Sequence, residues 1–159
     1  KAQAPEIPVL AAGGIMDGRG LVAALALGAQ GVWTGTIWQL AHEHDLQMGM
    51  KQRILNAPQD DTLRQKFTTG KTARVVKNRF VDVWLQPGAP KPIPLPLQML
   101  LVFPVMIAAE DAEMWDYGLG PIAGQGTGLV KKLRGAREIM MDYVSGALEV
   151  MERFQFEAP

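Results

Sequence analysis

The first strand-and-helix pattern of the chain lies between Ile7 and Gly28. Ile7 to Ala12 form an apolar run without polar alternation that stops at Gly13-Gly14, as expected of a short parallel strand buried on both faces. From Asp17 onward the apolar positions return at helical spacing, at Leu21, Ala24, Leu25 and Gly28. This spacing predicts a helix that packs an apolar stripe on a sheet.

The same order of elements follows a second time. Residues 31–34 are predicted to form a second strand, and Gly35-Thr36 opens a helical stretch that reaches Ala41. A strand, a glycine turn and a helix, repeated in this way, are typical of an α/β fold with parallel strands. The chain is therefore predicted to contain two consecutive βα units.

The next part of the chain gives weaker patterns. Residues 48–55 have helical spacing, and Pro58 ends this helix because proline disfavours helical geometry in the residue before it. Asp60-Asp61 is predicted to cap a short helix rather than to form a catalytic carboxylate pair. Residues 68–84 show no dominant period, which predicts short strand or irregular structure.

Proline and glycine organise the rest of the chain. Five prolines between Pro87 and Pro96 predict an extended connector that divides the chain. Leu97 to Glu113 is predicted to be a helix that Pro104 kinks or ends, and residues 118–128, with five glycines, predict a loop. A last helix is predicted from Gly135 to Phe154. Its apolar stripe would consist of Leu133, Ala136, Met140, Val144, Leu148 and Met151.

Composition and charge narrow the class of protein. The 159 residues are 48% hydrophobic and 20% charged, which is ordinary for a globular domain. Sixteen basic residues balance sixteen acidic ones, so neither nucleic acid nor an anionic membrane is expected as a partner. Cysteine is absent, which excludes disulfides and thiolate catalysis and fits a cytoplasmic protein. No apolar run reaches the roughly 18 residues that a membrane span needs.

The first residues suggest a larger fold. Lys1 to Pro5 include no initiator methionine, and the strand pattern is already present by Ile7. We therefore expect this chain to be the C-terminal part of a longer protein. Two strands cannot close a barrel, so the others would come from the rest of the protein, a homo-oligomer or a complementing chain.

Both strand-to-helix turns are rich in glycine, which lets backbone N–H groups approach an anion that a side chain would block. A helix N-terminus after each turn adds partial positive charge. In (β/α)8 barrels the loops after strands 7 and 8 often hold the phosphate of a ligand. We therefore predict phosphate binding at Gly13, Gly14, Gly35 and Thr36. The pattern leaves open whether a flavin, a nucleotide or a sugar carries the phosphate, and tight turns alone are the alternative.

Several blocks of the sequence together resemble a known enzyme family. They include Ala11-Ala12-Gly13-Gly14-Ile15, Asp17-Gly18-Arg19, Thr34-Gly35-Thr36, Asp61-Thr62, Thr69-Gly70, Ala73-Arg74, Asn78, Ala123-Gly124-Gln125-Gly126 and Ala136-Arg137-Glu138-Ile139. These blocks resemble the C-terminal barrel segment of nitronate monooxygenases and related flavin enoyl reductases. The first block is also shared with inosine monophosphate dehydrogenases, whereas the later blocks narrow the resemblance.

The resemblance implies a fold and a cofactor. The fold is α/β: the last two βα units of an FMN-binding (β/α)8 TIM barrel in residues 1–46, and a mainly helical region in residues 47–159 that completes the barrel exterior and covers the active site. FMN phosphate would bind at Gly13, Gly14, Gly35 and Thr36, and Ala12 would line the cofactor through its backbone. Gln125, which lies among glycines, is a further candidate for cofactor binding, with an ordinary loop contact as the alternative.

The resemblance also implies a reaction: an FMN-dependent oxidoreductase that oxidises nitronates with oxygen, with a small molecule as substrate. Two departures from the family pattern weaken nitroalkane specificity. Residues 33–38 differ from the commoner Gly-Thr-Arg-Phe version, and residues 94–98 are similar to a branch that acts on coenzyme A thioesters. The alternatives are an enoyl thioester reductase that uses a nicotinamide donor, and a non-flavin phosphate-binding barrel or inactive fragment.

No catalytic residue can be assigned from the sequence. The histidine that serves the family as catalytic base lies in the earlier half of the barrel, and neither His42 nor His44 matches its motif. These two histidines diverge by about 200° on a helix, so no metal site is predicted there. Arg74 and Lys77 are expected at the surface, with contact to a phosphate as the alternative. The four tryptophans are expected to serve packing.

Overall fold

The computed structural model describes residues 7–118 and 120–154. Lys1 to Pro5, on which the expectation of a longer protein rests, lie outside them. In chain order the elements are β1 (Leu10–Ala12), α1 (Gly18–Ala26), β2 (Gly31–Trp33), α2 (Thr36–Gln39), α3 (Met48–Asn56), a 3-10 turn (Gln59–Asp61), β3 (Thr62–Gln65), β4 (Ala73–Val76), α4 (Arg79–Trp84), α5 (Leu97–Asp111), a 3-10 segment (Gln125–Leu129) and α6 (Ala136–Arg153). The fold mixes helices and strands. In the described ranges no helix has the length and apolarity that crossing a membrane requires.

The chain divides into two compact units. The first consists of Lys1–Asp45 and Leu129–Pro159, and the second of Leu46–Gly128. The last helix, α6, therefore belongs with the two N-terminal strands. The predicted division into a barrel part (residues 1–46) and a covering region (residues 47–159) stays a prediction.

In the first unit, β1 and β2 form a two-stranded parallel sheet, so the predicted repeat of strand, turn and helix is confirmed. The predicted burial of the first strand on both faces is wrong for this chain. Leu10 is 47% exposed, and Trp33, which follows the same pattern in β2, is 71% exposed. The reason is that a parallel strand is buried on both faces only where other elements cover both, and the described residues do not cover the Leu10 and Trp33 side chains.

The helix after β1 packs chiefly on α6, and its buried face differs from the predicted stripe. Gly18, Val22 and Ala24 of α1 are buried, whereas Leu25 is 43% exposed. Gly28 lies beyond the helix in a left-handed conformation (φ 93°) and ends it. The prediction of a sheet-facing stripe was wrong because another helix, and not the sheet alone, covers α1.

The last helix is confirmed almost to its ends, but its buried face is shifted by one position. Ile139, Tyr143 and Ala147 are the buried residues of α6. Met140, Val144 and Leu148, which the sequence pattern placed inward, are 51%, 44% and 53% exposed. Two apolar stripes at the same spacing lie next to each other on this helix, and α1 covers only the first of them.

In the second unit, the predicted helix at residues 48–55 is confirmed as α3, and β3 pairs with β4 in an antiparallel hairpin. The predicted helix cap at Asp60-Asp61 is wrong: both residues lie within the 3-10 turn, and a strand follows. The reason is that Pro58 opens the turn and that Thr62, a β-branched residue, continues as strand. Residues 68–84 contain β4, as expected for short strand, and the unpredicted helix α4.

The proline-rich segment has neither helix nor strand from residue 85 to 96, as predicted, but it lies inside the second unit and does not divide the chain. The side chain of Gln98, which is fully buried, holds this segment in place through two hydrogen bonds. The side chain of Gln98 donates to the carbonyl of Phe67 (2.6 Å) and accepts from the N–H of Ile93 (3.0 Å). The next helix, α5, continues through Pro104 to Asp111.

Candidate functional site

The turn after β1 requires glycine at two positions. Gly13 (φ 93°) and Gly14 (φ 74°) both occupy the left-handed region, which other residues enter at a cost. A Cβ atom at either position would have no neighbour within 4 Å, and no described residue accepts a hydrogen bond from their N–H groups. The two peptide groups therefore present donors to open space.

The turn after β2 contains a glycine whose side-chain position is open. Gly35 has φ −120° and ψ −65°, and a Cβ atom there would have no neighbour within 4 Å. Its N–H group, too, has no acceptor among the described residues. Internal packing does not account for glycine at this position, whereas a ligand that approaches the backbone closely would account for it.

The two turns follow the carboxyl ends of neighbouring parallel strands. Ala12 pairs with Trp33 in the parallel register, so Gly13-Gly14 and Gly35-Thr36 follow neighbouring strand ends. In parallel α/β sheets ligands bind outside the carboxyl ends of the strands. The structure therefore brings together five of the six residues that the sequence suggested: Ala12, Gly13, Gly14, Gly35 and Thr36.

The helix N-termini contribute less than the sequence pattern suggested. Asp17 caps α1 and accepts from the N–H of Gly20 (3.0 Å), while Arg19 pairs with its carboxylate (2.7 Å). Partial burial raises the pKa of Asp17, but the hydrogen bonds from Gly20 and Arg19 outweigh it and hold this pKa below its usual value. A negative charge thus already occupies this helix end. The second helix has only four residues, so its dipole is small. The loop N–H groups are the main donors.

Two stacked aromatic residues each donate a hydrogen bond to a residue next to one of the two turns. The phenol of Tyr143 on α6 donates to the carbonyl of Ile15 (2.9 Å), and the indole N–H of Trp38 donates to the hydroxyl of Thr34 (2.8 Å). The rings of Tyr143 and Trp38 stack with centroids 6.4 Å apart. Burial raises the pKa of Tyr143, although a hydrogen bond with Thr34 opposes this shift. The sequence analysis missed Tyr143, and only its helical spacing from Ile139 and Ala147 could have indicated it.

The remaining candidates lie elsewhere. Gln125 is exposed at the start of the 3-10 segment in the second unit, and its role at the cofactor stays a prediction. Arg74 donates to the carbonyl and hydroxyl of Thr62 (3.2 and 3.0 Å), so this half-buried guanidinium links two strands. His42 and His44 are exposed, and Glu43 between them accepts from the N–H of Ala136 at the start of α6 (2.8 Å).

The family of the chain follows from comparison with known proteins. Residues 1–146 match the model of the nitronate monooxygenase family, and the chain belongs to this family. It is 35% identical over 157 residues to a Mycobacterium tuberculosis protein named as a monooxygenase, Rv1533, covering 93% of this chain and 41% of that protein. It is 43% identical over 76 residues to a Staphylococcus aureus protein named as a nitronate monooxygenase, covering 48% of this chain and 21% of the relative.

Solved structures agree with this assignment. A nitroalkane oxidase from Streptomyces ansochromogenes superposes with a TM-score of 0.84 at 29% identity, over 96% of this chain and 43% of the other. FabK from Thermotoga maritima superposes with a TM-score of 0.75 at 27% identity, over 97% and 48% of the two chains. The chain thus spans less than half the length of the relatives and structures it matches here. The named proteins among them are a monooxygenase, a nitronate monooxygenase and a nitroalkane oxidase, all of them oxidoreductases.

Proposed function

We propose that residues 8–36 are the phosphate-binding end of an FMN-dependent oxidoreductase, and that the complete protein oxidises nitronates with oxygen. The observation that carries this proposal is Gly35, whose open Cβ position lies at the mouth of the second turn. A phosphate that contacts the backbone there explains why no side chain is present. The left-handed Gly13-Gly14 turn at the same sheet edge supplies the opposing donors.

Each residue of the site has a defined role in this proposal. The N–H groups of Gly13, Gly14 and Gly35 would hold the phosphate, the hydroxyl of Thr36 would add a hydrogen bond, and the backbone of Ala12 would line the cofactor. The charge-assisted hydrogen bonds of these donors orient the cofactor without occupying the space above the strands. A bound flavin supplies the electron transfer, and the protein supplies binding and orientation.

The sheet supports a barrel as the complete fold. Parallel strands are normally buried on both faces, yet Leu10 of β1 and Trp33 of β2 are largely exposed. We propose that β1 and β2 are the last two strands of a (β/α)8 barrel whose other strands come from the rest of the protein or from a complementing chain.

Two sets of similar proteins point to two candidate substrates. Similarity to a nitroalkane oxidase and to nitronate monooxygenases favours a nitronate. Similarity to FabK favours the second candidate function, reduction of an enoyl thioester with a nicotinamide donor. A purified protein that consumes oxygen only when a nitronate is added supports the first, and one that oxidises a nicotinamide only with an enoyl thioester supports the second.

The site itself can be tested by alanine substitution in the natural full-length protein. Gly35→Ala should leave the unfolding transition within about 0.5 kcal/mol of wild type, because the added methyl group meets nothing. The same methyl group should remove most of the flavin that copurifies with the protein, measured by absorbance near 450 nm and by mass of the released cofactor.

A matched control exists at the other end of α1. Gly28 has the same left-handed φ as Gly13 (93°) and an equally open Cβ position, but it precedes β2 and so lies at the amino ends of the strands, opposite the end that Gly13 follows. Gly13→Ala and Gly28→Ala should therefore destabilise equally, by about 1 kcal/mol, while only Gly13→Ala lowers flavin content. Full flavin retention in both Gly13→Ala and Gly35→Ala would contradict the proposal. Release of a sugar phosphate or nucleotide in place of flavin would overturn the oxidoreductase and keep the phosphate site.

A further inference from the structure

We propose that Tyr143 is a positioning residue that fixes the two glycine turns relative to each other, so that their N–H groups converge on one phosphate. This inference rests on the proposed function, because it assigns a new residue to the same site. Tyr143 touches neither turn glycine directly, and it acts through Ile15 on one side and Thr34 and Trp38 on the other.

The first connection holds the turn after β1. The hydroxyl of Tyr143 donates to the carbonyl of Ile15 over 2.9 Å, and Ile15 directly follows Gly14. Two consecutive left-handed glycines have wide conformational freedom, so their orientation needs an external restraint. Tyr143 is only 5% exposed, so water does not compete well for this hydrogen bond.

The second connection holds the turn after β2. Thr34 directly precedes Gly35, and its hydroxyl accepts from the indole N–H of Trp38 (2.8 Å). The Trp38 ring also stacks on the ring of Tyr143 at an interplanar angle of 18°. The Trp38–Thr34 hydrogen bond and the stacking of Trp38 on Tyr143 therefore link the second turn to the side chain that bonds Ile15.

The helix that carries Tyr143 is itself fixed in the first unit. Its backbone at Gly146 lies against Gly18 of α1, and Glu43 accepts from the N–H of Ala136 at its start. Tyr143 therefore stands on a helix that is held at its start and at its middle. Rigid support of this kind is what a binding constellation needs to keep its donors within about 0.5 Å of their working positions.

Removing the Tyr143 hydroxyl should weaken binding of the phosphate and not of the flavin ring. Loss of the Tyr143 hydroxyl removes a restraint on the N–H donors, which weakens the hold on a phosphate but not on an isoalloxazine ring. Tyr143→Phe keeps the ring and the stacking on Trp38. Removal of one intramolecular hydrogen bond should raise the Kd of FMN about 3- to 10-fold. Riboflavin, which has the same ring system without the phosphate, should bind with an unchanged Kd.

The test compares these two ligands by fluorescence titration of the deflavinated full-length protein. Tyr117→Phe is the matched control, because its hydroxyl accepts from Arg79 (3.2 Å) at an exposed position of the second unit. For Tyr117→Phe both Kd values should equal those of wild type. If Tyr143→Phe fails to fold, Trp38→Phe tests the connection to the second turn, because it keeps an aromatic ring and loses the hydrogen bond to Thr34. It should show the same selective loss for FMN.

The outcomes separate this inference from the proposed function. A Kd ratio of FMN to riboflavin that rises in Tyr143→Phe supports the positioning role. Equal weakening of both ligands, or no change in either, overturns it while the flavin site stands, since the wild-type protein still binds. A wild-type protein that binds neither ligand overturns the proposed function and this inference with it.

Discussion

Gly18 at the start of α1 lies in backbone contact with Gly146 in the middle of α6. A Cβ atom on Gly146 would stand 3.7 Å from the Cα and N atoms of Gly18, which is ordinary contact. A Cβ atom on Gly18 would instead overlap backbone atoms of Tyr143, Gly146 and Ala147. Close helix crossings of this kind need a residue without a side chain on one partner only. Here that partner is α1, directly after the first glycine turn.

This asymmetry predicts opposite results for two alanine substitutions. Gly18→Ala should lower the free energy of unfolding by about 1–3 kcal/mol, because backbone cannot move aside as a flexible side chain can. Gly146→Ala should be neutral or stabilising by up to about 1 kcal/mol, since alanine favours the helix interior more than glycine does. Urea unfolding of both variants checks this, and equal losses in the two would contradict the geometry.

The elements that the sequence predicted well are those that local chemistry determines. Left-handed Gly13 and Gly14 end the first strand, as the glycine pair indicated. α3 ends at Asn56, two residues before Pro58, because proline restricts the residue that precedes it. The candidate phosphate turns belong to the same class of feature, since their glycines and their position after parallel strands are both visible in the sequence.

The features that the sequence could not predict depend on a tertiary partner. Ile139 and Met140 open two apolar stripes with the same spacing on α6, and only the contact with Gly18 decides that the first is buried. Tyr143 belongs to that stripe and was missed for the same reason. The hairpin strands β3 (Thr62–Gln65) and β4 (Ala73–Val76) do not alternate apolar and polar residues, so the sequence carries no strand period there.

Asp17 should make the stability of the protein depend on pH in the acidic range. Its pKa is lowered in the folded state, so the ionised carboxylate contributes stability that is present above the unfolded pKa of about 4. This contribution is lost as the pH falls through the folded pKa. Asp17→Asn keeps an N-cap side chain without the charge. Its deficit in unfolding free energy relative to wild type should be constant from pH 5 to 8 and shrink below about pH 4. A deficit that does not change between pH 3 and pH 7 would contradict this assignment.

Asn78 should be a structural residue of the second unit. Its side chain accepts from the N–H of Val81 (3.0 Å), which caps α4, and donates to the carbonyl of Gly118 (3.0 Å). Asn78→Ala should cost about 2–3 kcal/mol, because it removes a helix cap and leaves a carbonyl without its donor. Asn56→Ala is the control: that side chain is exposed and accepts a hydrogen bond from Gln52, so a change within about 0.5 kcal/mol is expected. Chemical denaturation distinguishes the two, and a neutral Asn78→Ala would show that the cap is dispensable.

Gln98 should control stability and not substrate choice. It lies in the segment that resembles the coenzyme A thioester branch, yet it is fully buried and both of its polar atoms are satisfied by Phe67 and Ile93. Gln98→Met has a similar volume but leaves a carbonyl and an N–H group without partners, which should cost about 2–4 kcal/mol. Gln86→Met is the matched control, because the Gln86 side chain bonds the carbonyl of Asp82 at an exposed position.

The substrate measurement decides the assignment of Gln98. At a temperature where Gln98→Met is folded, its ratio of kcat/KM for a nitronate to that for an enoyl thioester should equal the wild-type ratio, because a side chain without solvent exposure contacts no substrate. A reduced melting temperature with an unchanged ratio is the expected pair of results. A changed ratio with an unchanged melting temperature would mean that Gln98 contacts the substrate in the complete protein, and that the hydrogen bonds to Phe67 and Ile93 do not account for its presence.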